Sequence, residues 1–162
     1  MTSIRILCAS LLLATATTPA LAHAKDSADE RAIRQTLARY ESALNAADTD
    51  TIVSLYTEQG VQMAPDAPAA VGREAVRAAY DGTFKAISLN LKFTVDEVKM
   101  LGKDRALLRS HSNGTLKVNG SGQPAGPAAF KELFILSKQK SGEWKFSHYS
   151  FSAAPASAGS KS

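Results

Sequence analysis

Residues 88–100 read "SLNLKFTVDEVKM", and their pattern decides the fold. Leu89, Leu91, Phe93 and Val95 alternate with polar residues, which marks a strand with one buried face. The phase then slips by one residue at Asp96-Glu97 before Val98 and Met100 resume it. A side-chain period of two tolerates such a slip only through a β-bulge, and a bulge bends the strand. The stretch is also a boundary. Helical periods lie before it and strand alternation after it.

Upstream, Ser27 and Glu30 form a capping box, and Ile33, Leu37, Tyr40 and Leu44 make the apolar stripe of a first helix. Asn45–Asp48 breaks that stripe. A short second helix starts near Thr49 or Asp50, carries Ile52, Val53, Leu55 and Tyr56, and is expected to stop at Gly60. Val61–Ala64 then form a strand ending in the proline-rich turn "PDAPAA". A third helix runs from about Arg73 to Phe84, with Val76, Tyr80, Phe84 and Ile87 on one face.

Downstream, Arg105–Val118, Ala128–Lys138 and Glu143–Ser152 follow as consecutive antiparallel strands, separated by Gly-containing turns and the loop "NGSGQPAGP". Helices first and strands afterwards give an α+β class: three N-terminal helices packed on a strongly curved, mostly antiparallel sheet.

The ends read differently. Residues 1–24 carry one early charge, Arg5, an apolar run from Ile6 to Ala14, and small residues spaced as A-x-A. That is the layout of a secretory signal peptide, with Ala20-Leu21-Ala22 and Ala22-His23-Ala24 both fitting a cleavage site. The expected mature chain is one domain, 25–152, followed by a disordered tail, 153–162, and its expected location is periplasmic or secreted. The single cysteine, Cys8, lies in the leader, so the domain has no disulfide, thiol nucleophile or thiolate metal site. Without Arg5, 18 Lys and Arg stand against 15 Asp and Glu, and they are scattered. A nucleic-acid face needs clustered basic residues interleaved with aromatics, and none is present. The three histidines show no ligand spacing, so neither a metal nor another cofactor is expected.

Residues 39–65, "RYESALNAADTDTIVSLYTEQGVQMAP", resemble the opening of ketosteroid isomerases and their SnoaL-like relatives in the nuclear transport factor 2-like superfamily. "GREAVRAAY" (72–80) and "ELFILSKQKSGEWKFSHYSF" (132–151) match the same superfamily. The resemblance implies a cone-shaped, cystatin-like α+β roll with a cavity between helices and sheet. It makes Tyr40 the donor to a developing oxyanion, with Tyr56 and Tyr80 in support. Glu132 takes the place of a protonated acid, which the isomerases supply as aspartate. The isomerase base sits immediately before the proline that ends the first strand, and here that residue is Ala64. Steroid isomerisation as that family performs it is therefore not expected.

Residue chemistry adds to this picture. Glu132 shares a strand face with Phe130 and Phe134, so its carboxyl is desolvated and favours the neutral, donating form; the alternative is an ion pair with Arg109. Two readings compete for Arg109, His111 and Asn113. The apolar residues Ala106, Leu108, Leu116 and Val118 mark the other face as the dry one, whereas the resemblance turns Arg109, His111 and Asn113 inward. The inward arrangement is preferred; the lost base is then replaced by His111, by Asp66 or by a bound water, or is not replaced at all. Met63, Phe84, Phe134 and Phe151 supply apolar walls; the resemblance to the isomerases implies that Ser147 and Tyr149 join Phe151 in the pocket wall, which leaves His148 on the other face. Asn113-Gly114-Thr115 and Asn119-Gly120-Ser121 fit the glycosylation acceptor pattern.

The function expected is binding of a small, mostly apolar, oxygen-bearing ligand in a tyrosine-lined cavity, by a homodimer that pairs through its outer sheet face. The alternatives are a cofactor-free isomerase, cyclase or hydratase using Tyr40 and Glu132, and a protein-interaction domain.

Overall fold

The computed structural model describes residues 27–155, so the leader and most of the tail lie outside the described residues. Helix α1 (Ala28–Asn45) begins at the capping box: the Ser27 side chain accepts from the Glu30 N–H, and the Glu30 carboxylate accepts from the Ser27 N–H. Its stripe of Ile33, Leu37, Tyr40 and Leu44 is buried, as the spacing requires. Asp48 caps α2 (Thr49–Ser54) by accepting from the Thr51 N–H.

The second helix is shorter than the sequence suggests. Strand β1 (Tyr56–Met63) begins directly after it, so Tyr56 is a strand residue, and Gly60 lies inside the strand rather than ending a helix. The cause is tertiary. The Phe146 N–H donates to the Leu55 carbonyl at 2.8 Å, and Tyr56 pairs in parallel with Phe146. Local periodicity contains no record of a partner ninety residues away. Gly60 is required for another reason: a Cβ there would lie 2.8 Å from Cδ1 of the Tyr56 ring.

After β2 (Ala70–Val71), Gly72 turns the chain at φ 83°, donates its N–H to the Gly60 carbonyl, and opens α3 (Arg73–Ala86). Four long strands follow: β3 (Ile87–Met100), β4 (Arg105–Val118), β5 (Gly126–Lys138) and β6 (Trp144–Ala153). The sheet has the order β2-β1-β6-β5-β4-β3 and is antiparallel except where β1 meets β6.

The bulge read from residues 88–100 is present, with Asp96 as the extra residue between Val95 and Glu97. A second register shift lies between Ile135 and Leu136 of β5, where Ser147 is inserted in β6 and donates to the Ile135 carbonyl. This insertion resets the phase of β6. Trp144 and Phe146 before it and Tyr149 after it are all buried, while His148 is exposed.

The helices pack on the concave face of this curved sheet, around Ile33, Tyr40, Val76, Leu108, Phe134 and Phe146. The α+β reading holds. The loop after β4 is tied down rather than loose: the Asn119 amide donates to the Phe84 and Lys85 carbonyls at the end of α3, and its oxygen accepts from Ser88. Among the described residues no helix is long and apolar enough to cross a membrane.

Candidate functional site

A cavity of about 160 Å³ lies between α1, α3 and the concave sheet. Its apolar wall includes Leu44, Leu91 and Phe93, with half-buried Ile87, Leu89, Leu116, Phe130 and Phe151. Its polar groups are Tyr40, Tyr80 and Tyr149, Gln62, Ser112 and Glu132, with Thr83 at α3.

Three tyrosines form one network. The Tyr80 hydroxyl stands 2.9 Å from that of Tyr40 and 3.1 Å from that of Tyr56. Three hydroxyls carry three protons and the two bonds use two, so one proton is spare. Either hydroxyl can donate in each bond, and a ligand oxygen in the cavity selects the arrangements that leave the spare proton on Tyr40 or Tyr80, because Tyr56 does not line the cavity. Burial holds all of them neutral: it pushes Tyr80 up to about 12, and Tyr40, Tyr56 and Tyr149 well above the usual phenol value. For Tyr149, nearby Tyr80 and Glu132 add to the effect.

Glu132 is buried on β5, directly opposite Ser110 of β4. Ser110 donates to one carboxylate oxygen at 2.6 Å and Ser112 to the other at 2.5 Å. Burial raises the Glu132 pKa more than the two serine bonds lower it. Proton binding is therefore tighter in the folded protein than in the unfolded chain, and stability falls as pH rises through the carboxyl titration. Glu132→Gln is expected to remove that fall: unfolding midpoints measured from pH 4 to pH 8 will decline in the wild type relative to the variant. Parallel profiles would contradict it.

Several expectations are corrected here. Ser110 and Ser112, in phase with Ala106 and Leu108, take the inner face of β4, so Arg109, His111 and Asn113 point away from the cavity. The bulge residue Asp96 meets them outside: His111 Nδ1 lies 2.8 Å from Asp96, and the Arg109 guanidinium lies 3.0 Å from Asp96 and 3.5 Å from Glu97. His111 is therefore no surrogate base, and Arg109 does not pair with Glu132. The dry-face alternation had identified the correct side.

Met63 is exposed, Asp66 lies in the turn beyond it, and Gln62 is the β1 residue that faces the cavity. Ala64, beyond the end of β1, contributes nothing to the cavity wall. Phe134 is fully buried beneath the site, stacked on Tyr149 at 4.2 Å between ring centroids, and Phe84 packs on Tyr80; neither lines the cavity. Phe151 and Tyr149 do. Sequence reasoning missed Gln62, Ser110 and Ser112. The two serines were legible from the phase of Leu108. Gln62 was not, because apolar Val61 and Met63 on either side suggest the opposite orientation.

Comparison with known proteins accords with this geometry. The SnoaL-like domain family model matches residues 37–137. A ketosteroid isomerase-like protein from Erwinia carotovora atroseptica is 31% identical, with 79% of this chain and 98% of that one covered and a TM-score of 0.75. A domain of unknown function with a cystatin-like fold from Nostoc punctiforme is 18% identical over 80% of each chain, with a TM-score of 0.63. A candidate scytalone dehydratase from Novosphingobium aromaticivorans is 18% identical over 76% of this chain and 83% of that one, with a TM-score of 0.67. No curated protein matches the chain. The roll, its tyrosine network on α1, β1 and α3, and these similarities agree, and the chain belongs to the SnoaL-like domain family.

Proposed function

We propose that this protein binds a neutral, largely apolar molecule of single-ring size through an oxygen atom that accepts from Tyr40. The observation that carries the reading is an apolar cavity lined by Tyr40 and Tyr80, two members of a buried hydroxyl network that holds one more proton than its two bonds use. Size narrows the ligand. A dry cavity of about 150 Å³ takes benzene, whereas drug-sized ligands occupy about 300–1,000 Å³. At about 160 Å³ the site suits one ring and is too small for a steroid nucleus. Glu132 in the same cavity disfavours anions.

A second reading rests on Glu132 itself. Among the described residues it is the one carboxylate lining the cavity, and the tyrosines there are held neutral. Isomerase-, cyclase- or hydratase-type chemistry at this site would use Glu132 to move the proton, with the tyrosine hydroxyl polarising a carbonyl. The family supports small-molecule binding and reactions of this kind in general terms.

The leader-like residues 1–24 support export to the periplasm or beyond. The exposed outer sheet face, with Leu133 at 43% exposure, supports pairing with a second copy.

Calorimetric titration with phenol, toluene and the phenolic steroid equilenin tests the binding reading. Phenol is expected to bind more tightly than toluene, and equilenin not at all. Tyr40→Phe is expected to weaken phenol by about 1–3 kcal/mol, the loss of a buried hydrogen bond. Equal affinity for phenol and toluene, or no effect of Tyr40→Phe, would overturn the assignment.

A further inference from the structure

Gln62 is 5% exposed, its side chain faces the cavity, and its amide takes no hydrogen bond from any described residue. The contrast with its neighbours is sharp. Tyr40 and Tyr56 are bonded to Tyr80, and both oxygens of Glu132 accept from serines. A primary amide has two donors and an acceptor, none of them is met by a described residue, and the amide opens into the cavity rather than being sealed in the core. The backbone does not explain the amide either, since Gln62 pairs through its main chain with Ala70 on one side and Tyr149 on the other. The side chain is left to a ligand.

We infer that Gln62 is a second polar anchor of the cavity, so that its ligand is a one-ring compound bearing two separate oxygen functions. One accepts from the tyrosine network and the other exchanges a hydrogen bond with the Gln62 amide. This rests on the binding reading proposed above and narrows its ligand class from monophenol-like to dihydroxy- or hydroxycarbonyl-bearing rings. Gln62 then sets specificity among ligands that the tyrosines alone would accept.

The test is calorimetric titration of wild type and Gln62→Met with phenol, catechol, resorcinol and hydroquinone, with thermal unfolding recorded to establish that the variant is folded. Methionine keeps the unbranched shape and removes the amide; Gln62→Leu serves if it does not fold. The wild type is expected to bind at least one dihydroxybenzene roughly tenfold more tightly than phenol, the yield of one buried hydrogen bond. In the variant that preference is expected to vanish, with the dihydroxybenzenes binding no more tightly than phenol does. A preference that survives the substitution overturns the inference, as does a wild type that binds phenol and every dihydroxybenzene alike; both outcomes leave the tyrosine-anchored reading standing. A wild type that binds none of the four compounds overturns both.

Discussion

Tyr80→Phe is expected to destabilise the protein by about 2–4 kcal/mol, although it removes a single oxygen atom. The ring stays, so its packing against Tyr40, Tyr56 and Phe84 is retained. The hydroxyl, however, is the shared partner of two others, at 2.9 and 3.1 Å. Deleting it leaves the Tyr56 hydroxyl without its partner and takes one partner from Tyr40, and an orphaned buried group costs about 1–3 kcal/mol. Tyr40 keeps the neighbouring Tyr149 hydroxyl, which holds the total below the sum of two full penalties. Tyr56→Phe removes an end of the network rather than its centre, so its effect should be about 1 kcal/mol. Denaturant unfolding of the two variants side by side checks the ordering; equal effects would mean that Tyr80 is not the hub.

Gly114→Ala is expected to be as damaging, by about 3 kcal/mol, for a purely steric reason. Gly114 lies in β4 between Leu91 of β3 and Ala128 of β5. A Cβ there would sit 1.9 Å from the Asn90 carbonyl oxygen and 3.0 Å from the Leu91 Cα. Both neighbours are backbone, so no rotamer change relieves the clash and β3 must move away from β4, at the upper end of overpacking penalties. Gly126→Ala is the control: it opens β5, and no atom lies within 4 Å of its added Cβ. The control should change stability by less than about 1 kcal/mol. Loss of similar size in both would show that backbone entropy rather than close approach governs these positions. Displacing β3 would also disturb the cavity wall, because Leu89, Leu91 and Phe93 line it.

Much of this architecture is legible in the chain. The capping box at Ser27, the stripe on α1, the bulge at Asp96 and the bounds of β4 follow from local rules, and the structure carries each of them. What sequence alone misplaces depends on distant partners. Tyr56 reads as helical because Ile52, Val53 and Leu55 precede it, but pairing with β6 draws it into a strand. Gln62 reads as outward-facing between two apolar residues, yet it is the one turned into the cavity. Arg109 and His111 looked like inward functional groups by resemblance, and the bulge supplies Asp96 to hold them outside.

The loss of an acid at Ala64 removes one route to catalysis without removing the binding apparatus around it. Tyr40, Tyr80 and Glu132 still line one cavity.

The most direct test is a crystal structure of the protein with 4-bromophenol, using anomalous scattering to locate the bromine. The account expects the ring in the cavity, its oxygen within hydrogen-bond distance of the Tyr40 hydroxyl, and the bromine against the apolar wall near Leu116 and Phe130. A cavity left empty, or a ring seated with its oxygen away from every tyrosine, would contradict the claim that the tyrosine network is the ligand's anchor.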